Sequence, residues 1–316
     1  MATPLNTHVG STTPGVARAS TVARASSVSD VRQTVRDYLA LTKPRIVELL
    51  LITTVPAMIV AAGGWPGAWL VLGTVVGGGL VSSSAHATNM VIDRDIDGAM
   101  HRTEDRPLPT GRIRPGAALV FSSVLLVVGS ATMLTMAGPL AALLTLTAWL
   151  WYVGIYTLWL KRRSSQNIVI GGVAGALPPM IGWAAVTGQV SLASVVLTTV
   201  VVLWTPIHFW SLAVGTGQDY GRAGIPMLPT VRGPKVAARH ALGYAIATAG
   251  SSLLLPLVGV GGVGYLAVAS GLGALLVLRA VRLLSSPTPS TAWKSFHTSN
   301  LYLALLFVLI GTTAWW

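Results

Sequence analysis

Nine apolar segments, each close to the length of a membrane-spanning helix, follow one another along the chain. A helix needs about 20 apolar residues to cross the hydrocarbon core of a bilayer. The segments are continuous rather than alternating in ten-residue pieces, which disfavours a β-barrel. We therefore predict an all-α, polytopic membrane protein with nine transmembrane helices. They lie at about 46–62, 67–90, 116–136, 139–160, 168–187, 191–214, 237–258, 262–284 and 300–316.

Composition and charge placement agree with this fold class. Only 9% of the residues are charged, whereas about 25% are charged in soluble domains. The loops after the first, third, fifth and seventh segments read "GGWPG", "AGP", "TGQVS" and "VGVGG" and carry no charge, so Lys and Arg lie on the other face. The positive-inside rule places the amino terminus and the basic loops in the cytoplasm. The net charge of +12 then reflects membrane topology, and we expect contact with lipid and no nucleic-acid binding.

The amino-terminal residues differ from the rest of the chain. Residues 1–37 are rich in Ala, Ser, Thr and Arg, which predicts a disordered tail before a membrane domain at 38–316. The same composition fits a mitochondrial presequence. We expect a bacterial inner (cytoplasmic) membrane, and the presequence-like composition makes the mitochondrial inner membrane the alternative. The absence of cysteine excludes disulfides and thiolate metal sites.

Five of the nine acidic residues lie in one stretch, "NMVIDRDIDGAMHRTEDRPL", at 89–108. Asn89, Asp93 and Asp97 are four residues apart, so a continuous helix would carry them on one face. Carboxylates at a membrane boundary require a cation nearby. Salt bridges from Arg94 and Arg102 could supply it, and so could Mg²⁺, which prefers oxygen ligands and often bridges carboxylates to substrate phosphates.

The basic residues beside this stretch favour the metal. Four arginines follow at 102–114 and "KRR" stands at 161–163, which is more positive charge than simple neutralisation needs. Acidic metal ligands together with surplus guanidinium groups match a metal-bridged diphosphate. We therefore predict a site that stabilises a departing diphosphate.

The stretch resembles the first aspartate-rich motif, N-x3-D-x3-D, of the UbiA-type family of intramembrane prenyltransferases. "YLALTKPRIVELLLITTVPAMIVAAGG" at 38–64, "KRRSSQNIVIGGVAGALPPMIGW" at 161–183 and "WTPIHFWSLAVGTGQDYGRAGIPMLPTVRG" at 204–233 are similar to the heme-farnesylating members of that family. The resemblance runs from about residue 38 to the end. It implies nine helices around a central cavity, with a second aspartate-rich motif after the sixth helix.

The resemblance also implies an activity and its partners. A farnesyl group would pass from farnesyl diphosphate to a vinyl group of protoheme IX with Mg²⁺ as cofactor. The product, heme O, would serve heme–copper oxidases, so heme A synthase and oxidase assembly proteins are candidate partners. By position, the metal ligands are Asp93, Asp97 and Asp219, and the catalytic residues are Asp93, Asp97, Lys161 and Tyr156. The substrate-binding residues are Asn89, Arg102, Arg106, Arg162, His208, Asp219 and Tyr220.

Several alternatives remain open from the sequence. His208 contacts heme or is a hydrogen-bonded packing residue, and His86 lines the cavity or packs between helices. Gln218 replaces an acidic residue common in this family, which keeps a catalytically impaired heme-binding homologue open. Two other hypotheses about the function remain. The protein could be a prenyltransferase that acts on a quinone precursor or chlorophyllide, or it could be a secondary transporter. The glycine pair at 171–172 indicates close helix contact rather than phosphate binding.

Overall fold

A computed structural model describes residues 30–217 and 219–315, except for the side chains of 45, 46 and 48–51. Within these residues the regular secondary structure is helical. The principal helices are α1 (30–42), α2 (Pro44–Ala62), α3 (Ala68–Ile92), α4 (Pro115–Ala137), α5 (Pro139–Leu160), α6 (Asn167–Thr187), α7 (Leu192–Gly215), α8 (Pro234–Ser252), α9 (Val263–Ser285) and α10 (Pro289–Trp315). Short helical turns at Arg94–Asp97, Asp219–Arg222 and Leu228–Arg232 lie in the two long loops.

Seven of these helices are long and apolar enough to cross a membrane, namely α3 to α7, α9 and α10. Among the described residues, the apolar part of α2 is the shorter stretch Ile52–Ala62. Helix α8 carries Lys235 and Arg239 in its first two turns, which lowers its mean hydropathy. The all-α membrane fold is therefore confirmed, and the count of nine transmembrane helices stays a prediction.

Two element boundaries differ from those that the sequence predicted. Residues 30–37 are helical rather than disordered, because Asp37 is buried and accepts hydrogen bonds from the Arg112 side chain. The rest of the predicted tail, 1–29, lies outside the described residues. Helix α10 begins at Pro289 instead of 300, since a capping box between Thr288 and Thr291 satisfies its first backbone groups.

Small residues set the closest helix contacts. A Cβ atom added at Gly129 of α4 would lie 2.9 Å from the Gly77 carbonyl oxygen of α3. One added at Gly172 of α6 would lie 2.5 Å from the Thr205 side chain of α7. Without side chains at these points the backbones approach closely and gain van der Waals contact, which stabilises helix pairs in membranes. The close contact expected of the 171–172 glycine pair is thus confirmed.

The end of α5, Trp151–Leu160, is a π-helix. Its wider turn is visible in the Lys161 backbone N–H, which donates to the Tyr156 carbonyl oxygen five residues earlier at 2.8 Å. π-Helical turns are rare and are frequently found at functional sites. Here the wider turn aligns Tyr152, Thr157 and Lys161 on one face, opposite α3.

Three contacts join this π-helical face to α3 in order. The His86 ring meets the Tyr152 ring edge to face at 5.3 Å between centroids. One turn later the Asn89 side chain donates to the Thr157 hydroxyl at 3.2 Å. Next, Lys161 donates to the Asp93 carboxylate. Successive contacts are three and then four residues apart along α3, and five and then four residues apart along α5 and Lys161. We call these three contacts the α3–α5 ladder.

Gly171 gives a test of how tightly the ladder is supported. An added Cβ would lie 2.3 Å from Cδ2 of Tyr156, whereas at Gly175, one turn later, nothing lies within 4 Å. We expect Gly171→Ala to lower the free energy of unfolding by about 1–3 kcal/mol through overpacking. Gly175→Ala should leave it unchanged or raise it slightly. Thermal unfolding in detergent measures both, and equal midpoints for the two variants would contradict the expectation.

Candidate functional site

Two carboxylates are buried where α3 ends. Asp93 closes α3 and Asp97 ends the turn Arg94–Asp97, and their exposed fractions are 0% and 1%. The Asn89 amide donates to Asp93 Oδ2 at 2.7 Å. Asp95 projects elsewhere, as expected, and its side chain is 60% exposed. The helix is interrupted at Asp93 and resumes at Arg94, and the structure brings Asn89 and Asp93 into direct contact.

The cations that neutralise these carboxylates come from distant parts of the chain. Lys161 donates to Asp93 Oδ2, and the Arg106 guanidinium donates to Asp97 Oδ2 at 2.7 Å. Burying a carboxylate is costly unless a partner charge offsets the lost hydration. Each buried carboxylate therefore has one direct cationic partner supplied by another element.

Arg162 lies between an exposed and a buried carboxylate. Its guanidinium donates to both oxygens of Asp95, each at 2.7 Å, and lies 3.7 Å from Asp93 Oδ1. These hydrogen bonds lower the pKa of Asp95 to about 2. The exposed Asp95 thus holds the Arg162 guanidinium near the surface, at a distance where it still attracts the buried Asp93 carboxylate.

The salt-bridge alternative raised from the sequence named the wrong arginines. Arg94 donates to the Val91 carbonyl oxygen at 2.8 Å. Arg102 lies beside Tyr220, with Nη2 3.5 Å from the phenol oxygen and the guanidinium 6.0 Å from the ring centroid. Sequence proximity misled here, because a helical turn directs neighbouring side chains to different sides.

One oxygen of each buried carboxylate has no hydrogen-bond partner, namely Oδ1 of Asp93 and Oδ1 of Asp97. Buried acceptors are normally satisfied. These two atoms fit Mg²⁺, which is typically held by one or two carboxylates and completes its octahedron with water and substrate phosphates. The residues present therefore suit the ion that the sequence predicted.

The predicted third metal ligand does not join them. In the part of the chain that the structure describes, no three His, Cys, Asp or Glu side chains come together as a metal-binding group. The turn Asp219–Arg222 buries Tyr220 and leaves Asp219 only half-buried. The ligand set of Asp93, Asp97 and Asp219 therefore stays a prediction. Gln218, on which the doubt about the second motif rested, lies outside the described residues.

Lys43 belongs to the site and was missed in the sequence. Its ammonium group donates to Asn89 Oδ1 at 3.0 Å, and its backbone is left-handed with φ 48°, which is costly for a residue with a side chain. Burial, with Arg106 and Lys161 close by, lowers the pKa of Lys43 to about 7. The available signal was a lysine directly before a proline at the start of the first apolar segment.

The second long loop folds over the first. Tyr220 is 8% exposed and packs with Met100, Ile168 and Tyr156 in one apolar cluster. Burial raises the pKa of Tyr220, so its phenol keeps its proton and can donate a hydrogen bond. The structure therefore brings Tyr156, Tyr220 and Arg102 together, and their shared role in substrate binding stays a prediction.

His208 is packed, and its hydrogen bonding defines its tautomer. The ring stacks on Trp204 at 4.4 Å and lies 4.6 Å from the Phe296 ring. The Ser299 hydroxyl donates to the Phe296 carbonyl oxygen at 2.7 Å, so it accepts from Nδ1–H of His208 at 3.2 Å. Nε2 is then unprotonated, and it has no hydrogen-bond partner among the described residues. These surroundings are compatible with both hypotheses for His208, namely contact with heme and a hydrogen-bonded packing role.

His86 has neither ring nitrogen hydrogen-bonded, although it is only 6% exposed. It occupies the first step of the α3–α5 ladder, one turn deeper in the membrane than Asn89. Its placement beside Tyr152 supports the expectation that it lines the same region as the carboxylates. Its contact with the Tyr152 ring also serves helix packing.

Two cavities lie near the long loops, and the first of them borders Arg162 of the cluster. One of about 380 Å³ is lined by Ile92, Arg94, Asp95, Thr157, Leu158 and Arg162. The other, of about 600 Å³, lies near the carboxyl end of α7 and is lined in part by Gly217, Arg222 and Pro287. Neither is lined by Asp93 or Asp97, whose Oδ2 atoms are covered by Lys161 and Arg106. The predicted central cavity beside the carboxylates stays a prediction.

The chain folds as an all-helical membrane bundle with a buried carboxylate–cation cluster at one end. The model of the UbiA prenyltransferase family matches residues 50–308. The chain belongs to the UbiA prenyltransferase family, which confirms the family that its motifs indicated.

Sequence relatives cover most of the chain. It is 52% identical to protoheme IX farnesyltransferase 1 of Saccharopolyspora erythraea, over 87% of this chain and 88% of that protein. It is 48% identical to protoheme IX farnesyltransferase of Clavibacter michiganensis, over 89% of this chain and 93% of that protein.

Solved structures share the fold at much lower identity. A digeranylgeranylglyceryl phosphate synthase aligns with a TM-score of 0.74 and 19% identity, covering 89% of this chain and 99% of that one. A UbiA homolog from Archaeoglobus fulgidus, bound to GPP and Mg²⁺, aligns with a TM-score of 0.61 and 17% identity, covering 87% and 99%. The likeness to these two proteins concerns the fold.

Lys43 should make the stability of the ligand-free protein depend on pH. Its pKa is lowered from 10.5 to about 7 on folding, so between these values the unfolded chain binds more protons than the folded protein. The stability contributed at this residue therefore rises with pH in that window, and below about pH 7 the full cost of burying the charge remains. We expect the stability difference between wild type and Lys43→Met to shift towards wild type from pH 6 to pH 9.

Thermal unfolding midpoints in detergent, without magnesium or diphosphate, measure this difference. Lys235→Met removes an exposed lysine at the start of α8 and serves as the matched control. A pH dependence that Lys43→Met leaves unchanged, or that both variants alter equally, would count against the assignment.

Proposed function

We propose that the protein transfers the farnesyl group of farnesyl diphosphate to a vinyl group of protoheme IX, which gives heme O. The observation that carries the proposal is the pair of buried carboxylates, each with one oxygen that accepts no hydrogen bond, surrounded by Lys43, Arg106, Lys161 and Arg162. Relatives named protoheme IX farnesyltransferase at 48% and 52% identity support the choice of prenyl donor and acceptor.

Diphosphate binding would use the charges that now balance the carboxylates. Lys161 and Arg106 hold Oδ2 of Asp93 and Asp97, which leaves both Oδ1 atoms available. Mg²⁺ held there would supply positive charge to the leaving diphosphate. Lys161 and Arg106 would then donate to phosphate oxygens, with Arg102 and Arg162 as further diphosphate contacts. Asn89 would orient Asp93 and Lys43 through its amide. Asp219, as a substrate-binding residue, would act from the second loop.

The reaction begins when the allylic carbon–oxygen bond breaks and the diphosphate takes the bonding electrons. The terminal vinyl carbon of the heme attacks the allylic cation and forms the new carbon–carbon bond. Water then adds to the carbon next to the porphyrin and releases one proton. The Tyr156 ring, with its neighbour Tyr152 at 5.4 Å between centroids, offers aromatic faces that stabilise a cation. Tyr220, buried over Arg102, would donate to the diphosphate and exclude water.

His208 would bind heme through Nε2. A ring nitrogen with a free lone pair, whose partner nitrogen donates to an oriented hydroxyl, has the arrangement of an axial ligand. Phe209, 5.2 Å from the His208 ring, belongs to the apolar cluster that includes Tyr156 and Tyr220. This contact connects the heme position to the diphosphate position.

The proposed location is the bacterial cytoplasmic membrane, with the amino terminus and the site loops facing the cytoplasm. Every basic loop lies on the face that carries the carboxylate cluster, and the positive-inside rule assigns that face to the cytoplasm. In a mitochondrion the same face would be the matrix side. Heme A synthase and oxidase assembly proteins are the partners that this product would serve.

Replacing one buried carboxylate should stop the reaction. We expect Asp93→Asn and Asp97→Asn each to lower the rate of heme O formation by about 10²–10³-fold, since each removes charge that organises the leaving diphosphate. Asp95→Asn is the matched control, because Asp95 is exposed and its only ion-pair partner among the described residues is Arg162. It should reduce the rate only slightly.

The assay uses purified protein, farnesyl diphosphate, heme and Mg²⁺, with heme O detected by mass. Omitting Mg²⁺ and adding a chelator should abolish turnover. Full activity of Asp93→Asn would contradict the site. Turnover of farnesyl diphosphate with a quinone precursor, but not with heme, would replace the proposed acceptor. Heme binding without diphosphate consumption by the wild type would instead identify a non-catalytic heme-binding protein.

Heme ligation can be tested apart from turnover. We expect His208→Ala to remove the Soret shift that accompanies heme binding. Ser299→Ala should retain that shift but weaken binding, because Nδ1 loses the hydroxyl that orients the ring. Absorbance titration of the purified variants with heme measures both. An unchanged spectrum for His208→Ala would exclude axial ligation by this residue.

A further inference from the structure

Helix α1 exposes a row of apolar side chains. Val31, Val35 and Leu39 are 63%, 52% and 56% exposed. Residues four apart in a helix lie on one face, so the three form a continuous strip, which we call the α1 strip. Apolar strips of this kind on a helix are normally covered.

A different face of α1 packs against the rest of the protein. Tyr38 packs edge to face against Phe121 at 5.0 Å between ring centroids. Leu41 is fully buried and packs with Leu108 and Ile113. At about 100° per residue, this packed face lies roughly a quarter of a turn from the α1 strip. The strip therefore faces neither the bundle nor the far side of the helix.

The remaining faces of α1 are graded in polarity. Arg32 and Arg36, both exposed, lie about a quarter of a turn beyond the strip, on the side away from the bundle. Ala40 and Gln33 follow, and Gln33 donates to Asp37 at 3.1 Å. Going around the helix, one meets the protein, an apolar strip, arginines and then a polar side. An amphipathic helix at a membrane surface beside a bundle has this order.

The strip also continues a surface that faces lipid. Phe121, the partner of Tyr38, belongs to α4, a candidate membrane span whose Leu119, Val120 and Val124 are 45%, 66% and 54% exposed. Helix α1 leads through the single residue Lys43 into α2, which starts at Pro44. The left-handed backbone of Lys43 turns the chain sharply at this point. A chain that lies along the membrane surface before it enters the bilayer needs such a turn.

We propose that α1 lies in the headgroup region of the membrane, on the face that carries the carboxylate cluster. The α1 strip is buried at the boundary of the acyl chains, and Arg32 and Arg36 bind the phosphates of anionic lipids. Burial of the strip removes apolar area from water, and each arginine adds electrostatic attraction near an anionic surface. Lipid is the occupant because the arginines border the strip and the adjoining face of α4 is already apolar.

This seating connects the membrane surface to the site. The Arg112 guanidinium donates to both oxygens of Asp37 in α1, at 3.1 and 3.2 Å, and also to the Asp105 carbonyl oxygen at 2.7 Å. The next residue, Arg106, holds Asp97. Helix α1 therefore supports the loop segment that delivers one cation to the carboxylates, and its other end delivers Lys43.

The absence of cysteine allows a direct test, because a single introduced cysteine can be labelled in the full-length protein. Val35→Cys places a polarity-sensitive dye on the α1 strip. Ala40→Cys, roughly 140° around the helix and also exposed, is the matched control. Both proteins are placed in bilayers of phosphatidylcholine and phosphatidylglycerol, with and without bromine on the acyl chains.

We expect the dye at residue 35 to emit at shorter wavelength than the dye at residue 40, and to be quenched strongly by brominated lipid. The dye at 40 should be quenched little. Replacing Arg32 and Arg36 by Gln, or omitting phosphatidylglycerol, should reduce the quenching at 35. Val31→Cys and Leu39→Cys repeat the measurement, should label 35 disturb the thermal unfolding midpoint.

Equal quenching at 35 and 40 would overturn the proposal. Short-wavelength emission at 35 without quenching by brominated lipid would do so as well, because it would mean that protein covers the strip, either a second copy or residues 1–29. Removing residues 1–29 and diluting the protein in the bilayer would then distinguish these two covers. None of these readouts depends on catalytic activity, so their failure is distinct from failure of the proposed function.

Discussion

Two buried carboxylates at a membrane boundary impose the constraint from which the rest of the site follows. Removing Asp93 and Asp97 from water costs several kcal/mol per charge unless each finds a cation and hydrogen bonds. Asp93 obtains them from Lys161 and Asn89, and Asp97 from Arg106. Since these partners lie on different elements, compensation of charge fixes α3, the end of α5 and the long loop relative to one another.

The π-helical end of α5 makes that compensation possible. An α-helix places side chains three or four residues apart on one face, whereas the π-helix allows the step of five between Tyr152 and Thr157. Because of this step, the ladder meets His86, Asn89 and Asp93 in turn. Because Gly171 has no side chain, the Tyr156 ring fits between the π-helical end of α5 and helix α6. A less regular backbone is thus retained where it lets α5 follow α3 to the carboxylates.

Fold and site are specified by different residues, which explains how structures only 17% and 19% identical share this architecture. Helix packing in a membrane needs apolar side chains and small residues at contacts such as Gly77 and Gly129, and many sequences satisfy that need. The site needs particular polar atoms at particular distances. Identities of 48% and 52% over most of the chain are therefore more informative about chemistry than the shared fold is.

The sequence by itself determined the membrane fold class, and it predicted that Asn89, Asp93 and Asp97 lie close together, of which Asn89 and Asp93 are in direct contact. These properties depend on hydropathy and on helical spacing, which act between residues close in the chain. Segments with weaker hydropathy were harder. Polar residues delayed the predicted start of α10, and residues 30–37 of α1 were assigned to a disordered tail because the first 37 residues are rich in Ala, Ser, Thr and Arg.

Tertiary structure alone decided which cations meet which carboxylates. Arg94 and Arg102 are near in sequence but turn to Val91 and Tyr220, whereas Lys161 and Arg106 reach Asp93 and Asp97. It also decided that Lys43 contacts Asn89 beside the carboxylates. The physical reason is that electrostatic partners are chosen by distance through space, and the folding of α2, α5 and the loops sets those distances.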